Sequence, residues 1–390
     1  GTFTIVNDLV GIDNNHHFSF CSAFFDYNND GWQDLYIAND KLDTQNLLYK
    51  NNGDGTFTEV GEETGTNLSM DAMSTTIGDY NNDTWLDIYI TNTVAGNIFL
   101  KNNGDGTFSN IAENNGTLFE SAAWGAVFLD AENDTDLDLY VSGALDGTTS
   151  FLPSAFYEND GIGNYTIPSS AGFENDTAQS FSNAIGDINN DGYPDIAVLN
   201  YEPDNIFLWK NITNQNNNWL KVKLEGIDSN RQGIGSWIEI SINGNKQYNY
   251  TLCGEGFLGQ NSAYEFFGLG DASFIDYIKV TWLSGHIDVI ENPSINSHIT
   301  IIEGGELGIN ENQDNNLLVY PNPGKKFHIK INNFSEKMVL YVTDVTGKVL
   351  LNSSQQSSEM SVDLSDFDSG VYFLNIFNQS QILTKKLIIN

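Results

Sequence analysis

Cysteine is nearly absent: Cys21 and Cys253 are the only two in 390 residues. Two thiols build no disulfide framework, so they do not report the redox compartment, and both read as free, buried thiols. No apolar run approaches the roughly 20 residues of a membrane-spanning helix. The sharpest deficit is in basic residues, with 16 Lys and Arg (Arg231 the sole arginine) against 52 Asp and Glu, for a formal charge of −36. Residues 1–210 carry most of it, with 33 acidic side chains against 4 lysines. Such a field repels phosphate backbones, which excludes nucleic acid as a partner. Acidic chains are often disordered, but 40% hydrophobic and 12% aromatic content is enough for packed cores. The chain opens Gly1-Thr2-Phe3, with neither an initiator Met nor a signal peptide.

What the chain has in abundance is a repeat. FFDYNNDGWQDLYIAN, IGDYNNDTWLDIYITN, FLDAENDTDLDLYVSG and IGDINNDGYPDIAVLN align, with first aspartates Asp26, Asp79, Asp130 and Asp187 spaced 53, 51 and 57 residues apart. A second motif keeps step: NLLYKNNGDGTF, NIFLKNNGDGTF, a degenerate SAFYENDGIGNY and a shortened NIFLWKN. In the first unit, Ser22–Phe25, Leu35–Ala38, Asn46–Lys50 and Thr56–Val60 read as four short strands, the last pair joined by a Gly-Asp-Gly turn. Four antiparallel strands per unit of this length predict the blade of a β-propeller. Gly1-Thr2-Phe3 matches Gly55-Thr56-Phe57, so the chain opens within a blade at its last strand. That strand either completes the fourth unit and closes a four-bladed ring, or belongs to a larger ring from which the sequence is truncated. The missing initiator favours the larger ring.

In each acidic loop, oxygen-bearing side chains occupy positions 1, 3, 5 and 9: Asp26, Asn28, Asp30 and Asp34; Asp79, Asn81, Asp83 and Asp87; Asp130, Glu132, Asp134 and Asp138; Asp187, Asn189, Asp191 and Asp195. Position 7 offers a main-chain carbonyl, from Trp32, Trp85, Asp136 and Tyr193. Alternate oxygens on a tight loop suit a hard cation that takes six to eight ligands at about 2.3–2.6 Å, and predict up to four structural Ca²⁺. An EF-hand is excluded, because position 12 is Ile37, Ile90, Val141 or Val198 instead of Glu, and the flanks read as strands. Position 6 favours Gly; Gly31 and Gly192 comply while Thr84 and Thr135 do not, so the second and third loops are expected to be strained.

These residues resemble the FG-GAP/VCBS repeats of integrin-type propellers and secreted bacterial proteins, over residues 1–212. From residue 213 to 303 the strands WLKVKLEG, GSWIEISING, KQYNYTL, EFFGLG, YIKVTWLSG and HITIIEG show no repeat. With Asn230-Arg231, Gly254-Glu255-Gly256-Phe257-Leu258 and Trp282-Leu283-Ser284-Gly285, this stretch resembles an ASPIC/UnbV domain, although Leu283 stands where that family commonly has Pro. Residues 304–316, Gly- and Asn-rich, read as a linker. Residues 317–390 read as a small Ig-like β-sandwich. Tyr320-Pro321-Asn322-Pro323, Asp344-Val345-Thr346-Gly347, Gly370-Val371-Tyr372 and Lys385-Lys386-Leu387-Ile388 resemble the C-terminal sorting domain of type IX secretion. That resemblance implies contact with the secretion machinery, export across a bacterial outer membrane, and release or surface anchoring after cleavage.

No nucleophile elbow, zinc-protease or phosphate-loop motif is present. His16 and His17 are adjacent and so point to opposite faces of a strand, which makes them poor joint ligands. Trp124 and Trp209 are candidates for sugar stacking, with core packing as the alternative. The sequence therefore predicts an all-β, calcium-binding propeller protein of the cell surface or secreted space, non-catalytic, binding an extracellular glycan or protein. A calcium-dependent polysaccharide-degrading enzyme and a structural module of a larger adhesin are the alternatives.

Overall fold

Each acidic loop is flanked by strand-forming residues, and in the computed structural model it becomes the hairpin between a first and a second strand. The structure describes residues 1–144, 152–213, 216–254, 256–305, 317–331, 338–355, 357–378 and 381–389. They fall into two compact units, Gly1–Asn310 and Glu311–Asn390.

In the first repeat β1 (Phe18–Phe25), β2 (Asp34–Asp40), β3 (Leu47–Asn51) and β4 (Phe57–Glu59) form an antiparallel meander. The second repeats it with β5 (Thr75–Gly78), β6 (Asp87–Ile90), β7 (Ile98–Asn102) and β8 (Phe108–Asn110). The third has β9 (Ala122–Leu129), β10 (Asp138–Ala144), β11 (Ser154–Asn159) and β12 (Tyr165–Thr166). The fourth has three strands among the described residues, β13 (Ser180–Gly186), β14 (Asp195–Asn200) and β15 (Phe207–Trp209). In every sheet the residue before the loop pairs with the ninth-position aspartate: Phe25 with Asp34, Gly78 with Asp87, Leu129 with Asp138, Gly186 with Asp195.

Neighbouring sheets stack face to face, with first strands adjacent. Thr76 Oγ1 donates to the Ala126 carbonyl at 2.7 Å, joining β5 to β9. Phe25, Tyr36 and Leu48 of the first sheet pack with Ile77, Ile88 and Leu100 of the second. Tyr89 and Phe99 meet Phe128, Leu139 and Tyr157 of the third, and Val127, Tyr140 and Phe156 meet Ile196 and Val198 of the fourth. The all-β expectation holds, and the sheets form no closed ring among the described residues. The outward side of the row exposes Phe18, Phe20 and Phe24 at one end and Leu199, Ile206 and Leu208 at the other.

One element was not legible beforehand. Single-turn helices α1 (Asn7–Val10), α2 (Gly61–Thr64) and α3 (Ala112–Asn115) each end on a left-handed glycine, Gly11, Gly65 and Gly116. Each glycine lies against the outer strand of a sheet: a Cβ on Gly11 would stand 2.4 Å from the Phe57 carbonyl oxygen, and one on Gly116 2.3 Å from that of Tyr165. Gly1-Thr2-Phe3, expected as a strand, is not one; no strand pairs with it, and Phe3 is fully exposed.

The rest of this unit joins two sheets around one core. β16 (Asn218–Glu225) lies between β19 (Glu265–Gly270) and β22 (Ser297–Ile302); β17 (Trp237–Ile242) lies between β18 (Asn245–Tyr250) and β20 (Tyr277–Thr281), with β21 (Ile287–Glu291) at the edge. Leu220, Val222, Ile238, Ile240, Ile278, Val280 and Trp282 fill the space between them. The Trp282–Gly285 turn closes with Leu283 in place, Gly285 N donating to the Trp282 carbonyl at 2.8 Å. Glu303, at the end of this domain, accepts N–H bonds from Ile227, Asp228 and Ser229 at 2.7–2.8 Å.

The second unit has β23 (Leu317–Tyr320), β24 (Lys326–Ile331), β25 (Met338–Asp344), β26 (Val349–Gln355), β27 (Glu359–Asp363), β28 (Gly370–Asn378) and β29 (Gln381–Ile389). The sheets β23-β24-β27 and β26-β25-β28-β29 enclose Phe327, Leu340, Val342, Leu374, Ile376 and Leu387. The linker expected at 304–316 lies outside the described residues from 306 onward.

Candidate metal loops and the domain seated on them

The four loops share one backbone. Position 4 is left-handed in each (Asn29 φ 56°, Asn82 55°, Asn133 55°, Asn190 56°), and so is position 6 (Gly31 87°, Thr84 72°, Thr135 91°, Gly192 88°). A β-branched residue in that region is strained, as expected for the second and third loops. The turn is closed by the first aspartate: Asp26 accepts Asp30 N at 3.1 Å and Gly31 N at 2.8 Å. Asp79 does the same with Asp83 N and Thr84 N, Asp130 with Asp134 N and Thr135 N, and Asp187 with Asp191 N and Gly192 N. The position-5 carboxylate in turn takes the position-7 amide: Trp32 N to Asp30 and Trp85 N to Asp83, both at 3.0 Å, with longer bonds from Asp136 N to Asp134 and Tyr193 N to Asp191. At position 3, Asn28 and Asn189 turn their amide nitrogens onto Asp30 and Asp191.

The ninth-position aspartate is a two-handed clip. Asp34 accepts Tyr27 N at 3.0 Å on one oxygen and Asn51 N at 2.7 Å on the other. Asp87, Asp138 and Asp195 repeat this with Asn102, Asn159 and Asn211. Those asparagines end the third strand of the first three repeats and stand two residues past it in the fourth (YKN, LKN, YEN, WKN), a recurrence visible in the sequence but without meaning there. Asn102 Nδ2 also reaches the Tyr27 carbonyl at 2.8 Å and Asn211 Nδ2 that of Ala131 at 2.8 Å, so the same side chain ties neighbouring repeats together.

Carboxylates are crowded into these turns at an electrostatic cost. Burial pushes Asp34 and Asp79 up to about 7 against the N–H bonds they accept. Burial raises Asp87 and Asp130 well above the ordinary range, with neighbouring carboxylates adding to it. Asp138 is raised by burial and then by Glu132, which faces it; Asp26, Glu132 and Asp134 are also raised, and Asp136 reaches about 7. Among the described residues no group of three or more His, Cys, Asp and Glu converges as a finished metal cage. The donor chemistry nevertheless fits a hard cation. In the second loop Asn81 Nδ2 bonds Asp83 at 2.8 Å, while the buried Asn81 Oδ1, at position 3, has no hydrogen-bond partner.

The middle domain rests on all four loops. Gln33 Nε2 donates to Tyr250 Oη at 3.4 Å at the first loop, and Tyr248 N to Asn82 Oδ1 at 3.2 Å at the second. Gly270 N donates to the Asn133 carbonyl at 2.8 Å at the third. Lys221 Nζ meets Asp187 Oδ2 at 2.7 Å at the fourth. A finger around Gly256–Ser262 runs along the first strands: Gly256 N donates to Thr75 O, Ile185 N to Asn261 Oδ1, and Ser262 N to Ile185 O. Between this domain and the second and third sheets lies a cavity of about 730 Å³, lined in part by Asn82, Gln247, Tyr248, Gln260 and Tyr264.

Family models match three parts of the chain. Residues 26–90 and 79–141 match the FG-GAP-like repeat, 226–307 ASPIC and UnbV, and 318–390 the secretion system C-terminal sorting domain. The chain carries all three. Its sorting domain assigns the protein to type IX secretion and to the cell surface or extracellular space. Among the described residues no helix is long and apolar enough to cross a membrane. No curated protein matches the chain at a significant level. Solved structures with some similarity include PorZ, an essential bacterial surface component of the type-IX secretion system of Porphyromonas gingivalis, at 12% identity and TM-score 0.27, covering 92% of this chain. The chain spans 58% of that PorZ chain. Another is the FN1–FN3 region of chicken CNTN1, at 8% identity and TM-score 0.17, covering 69% of this chain and 99% of that one.

Other sequence candidates are accounted for by packing. Trp124 stands edge-on to Phe181 and Phe257, and Trp209 to Phe173. His17 bonds Asp13 at 3.3 Å while His16 is exposed, and both precede β1 instead of alternating along a strand as expected. Arg231 makes a surface ion pair with Glu225 at 3.3 Å. Both cysteines are free, but the expectation that both are buried is corrected: Cys21 is half-buried against Thr75 and Cys253 is exposed, because it sits in the loop after β18.

Proposed function

We propose that this is a calcium-stabilised, non-catalytic binding protein of the cell surface or extracellular space, built on consecutive propeller blades. Residues 1–212 form the repeat region, 213–303 the seated domain and 317–390 the sorting domain. The first three loops would hold the cation through Asp26, Asn28, Asp30 and Asp34, through Asp79, Asn81, Asp83 and Asp87, and through Asp130, Glu132, Asp134 and Asp138, with main-chain oxygens of Trp32, Trp85 and Asp136. Bound there, Ca²⁺ supplies positive charge where buried carboxylates otherwise repel. The observation that carries this reading is the buried, unpartnered oxygen of Asn81 among raised carboxylates. Affinities on the order of 10⁻⁴–10⁻³ M suit an extracellular structural site. Thermal unfolding of calcium-loaded protein, with and without EGTA, tests it: the midpoint falls on chelation, and an unchanged midpoint overturns the metal reading.

The cavity beneath the seated domain supports the ligand-binding half. Gln260 and the remaining amide atoms of Asn82 and Gln247, whose Oδ1 and Nε2 already bond Tyr248 N and Gly268 O, stand beside the ring of Tyr248 and suit a carbohydrate, with hydrogen bonds for hydroxyls and a flat face for the ring. A glycan array identifies the ligand. New reducing ends or unsaturated products from a polysaccharide panel would overturn the non-catalytic assignment.

A further inference from the structure

The four loops repeat in backbone but not in electrostatics. Among the described residues, Asp26, Asp79 and Asp130 have no ion-pair partner, whereas their counterpart Asp187 has Lys221. The ammonium lies 2.7 Å from Asp187 Oδ2, and the two side chains are 4% and 2% exposed. Lys221 comes from β16, the first strand of the seated domain, and cannot swing away: Trp219 and Tyr264 flank it, with ring centroids 5.3 and 5.6 Å from Nζ. The Trp219 ring in turn lies on Gly192, position 6 of the same loop, where a Cβ would stand 2.0–2.3 Å from ring atoms. At the equivalent Gly31 a Cβ would meet nothing.

We propose that the fourth loop takes no divalent cation, because Lys221 supplies its counter-charge, so that the described chain binds three Ca²⁺ and not four. This rests on the calcium reading of the first three loops. A cation held by Asp187 at about 2.4 Å would stand roughly 5 Å from the lysine nitrogen. At that separation a dication and an ammonium repel strongly in a partly buried site, lowering affinity by about a hundred-fold or more. Lys221 cannot leave to relieve it, because a buried ammonium without its carboxylate is costly. The expectation of up to four ions, drawn from the repeat alone, is revised by a residue outside the repeat. Asp187 follows suit: burial would raise its carboxyl, but bonds from Lys221 and Gly192 outweigh that and hold it below the ordinary value, opposite to Asp26, Asp79 and Asp130. The seat of the middle domain on the fourth loop is thereby independent of calcium.

Equilibrium dialysis and native mass spectrometry of the full chain count the ions. The wild type is expected to bind three, Lys221→Met four, Asp26→Asn two, and Asp187→Asn still three. Four ions in the wild type overturn the proposal, as does Lys221→Met remaining at three. If Lys221→Met fails to fold, Asp187→Asn decides: a drop from three to two would show the fourth loop to be a site after all. No calcium in any of the proteins overturns the metal reading itself, and this inference with it.

Discussion

Asp34 and Asn51, 17 residues apart, are joined by a hydrogen bond of 2.7 Å from the Asn51 amide to Asp34 Oδ1, while Asp34 Oδ2 holds Tyr27 N. The aspartate thus pins the third strand to the acidic loop. Asp34→Ala leaves two N–H groups without an acceptor and is expected to cost about 3 kcal/mol. Asp34→Asn, keeping one acceptor oxygen, costs less. Urea unfolding checks this, and the loss persists in chelator; a loss that vanishes in EGTA would make the residue a metal ligand alone.

Thr84 and Thr135 carry left-handed backbones at φ 72° and 91°, where their glycine counterparts are at ease. Thr84→Gly and Thr135→Gly relieve that strain and are expected to stabilise by about 1 kcal/mol each, net of the added freedom of the unfolded chain. Gly31→Thr goes the other way. Melting midpoints of the three variants are the measurement.

Gly268 meets the third loop so closely that a Cβ would lie 1.9 Å from Asp130 Oδ2 and 2.5 Å from the Asn133 main chain. Gly268→Ala therefore lifts β19 off that loop. Hydrogen exchange at the Gly270 amide, bonded to Asn133 O at 2.8 Å, is expected to speed up at least ten-fold, while amides within β25 and β28 are unchanged.

Glu303 is 5% exposed and takes N–H bonds from Ile227, Asp228 and Ser229 as well as hydroxyl bonds from Ser229 and Ser284. Burial alone would raise its carboxyl, but these donors outweigh it and bring it down to about 2, from 4.5. A depressed carboxyl stabilises the fold above the unfolded value, and that contribution is lost as pH falls from about 4.5 towards about 2. Glu303→Gln should be less stable than the wild type by about 2 kcal/mol at neutral pH. The gap between their melting midpoints narrows through that acid window; a constant gap would argue against the charge.

The repeat was legible because it is local: loop, hairpin and strand alternation lie within one window of sequence. The left-handed turns at Asn29 and Gly31 follow from Asx-rich turn chemistry. What binds the units to each other was not legible. Lys221 and Asp187 are 34 residues apart, and Gln33 and Tyr250 217 apart, so neither pair leaves a periodic trace. Helices α1 to α3 escaped because four residues show no helical period. β21 (Ile287–Glu291) was passed over, an edge strand with one buried residue, Ile290.

The finger around Gly256–Ser262 carries a last consequence. First strands β5, β9 and β13 each have one edge outside their own meander, a row of main-chain donors and acceptors open to pairing with another chain. Gly256 and Ser262 bond the Thr75 and Ile185 carbonyls, Asn261 takes the Ile185 amide, and Thr76 Oγ1 covers the Ala126 carbonyl. Three of these contacts come from the seated domain, which thus occupies main-chain positions on the β5 and β13 edges that would otherwise be free to pair with another strand.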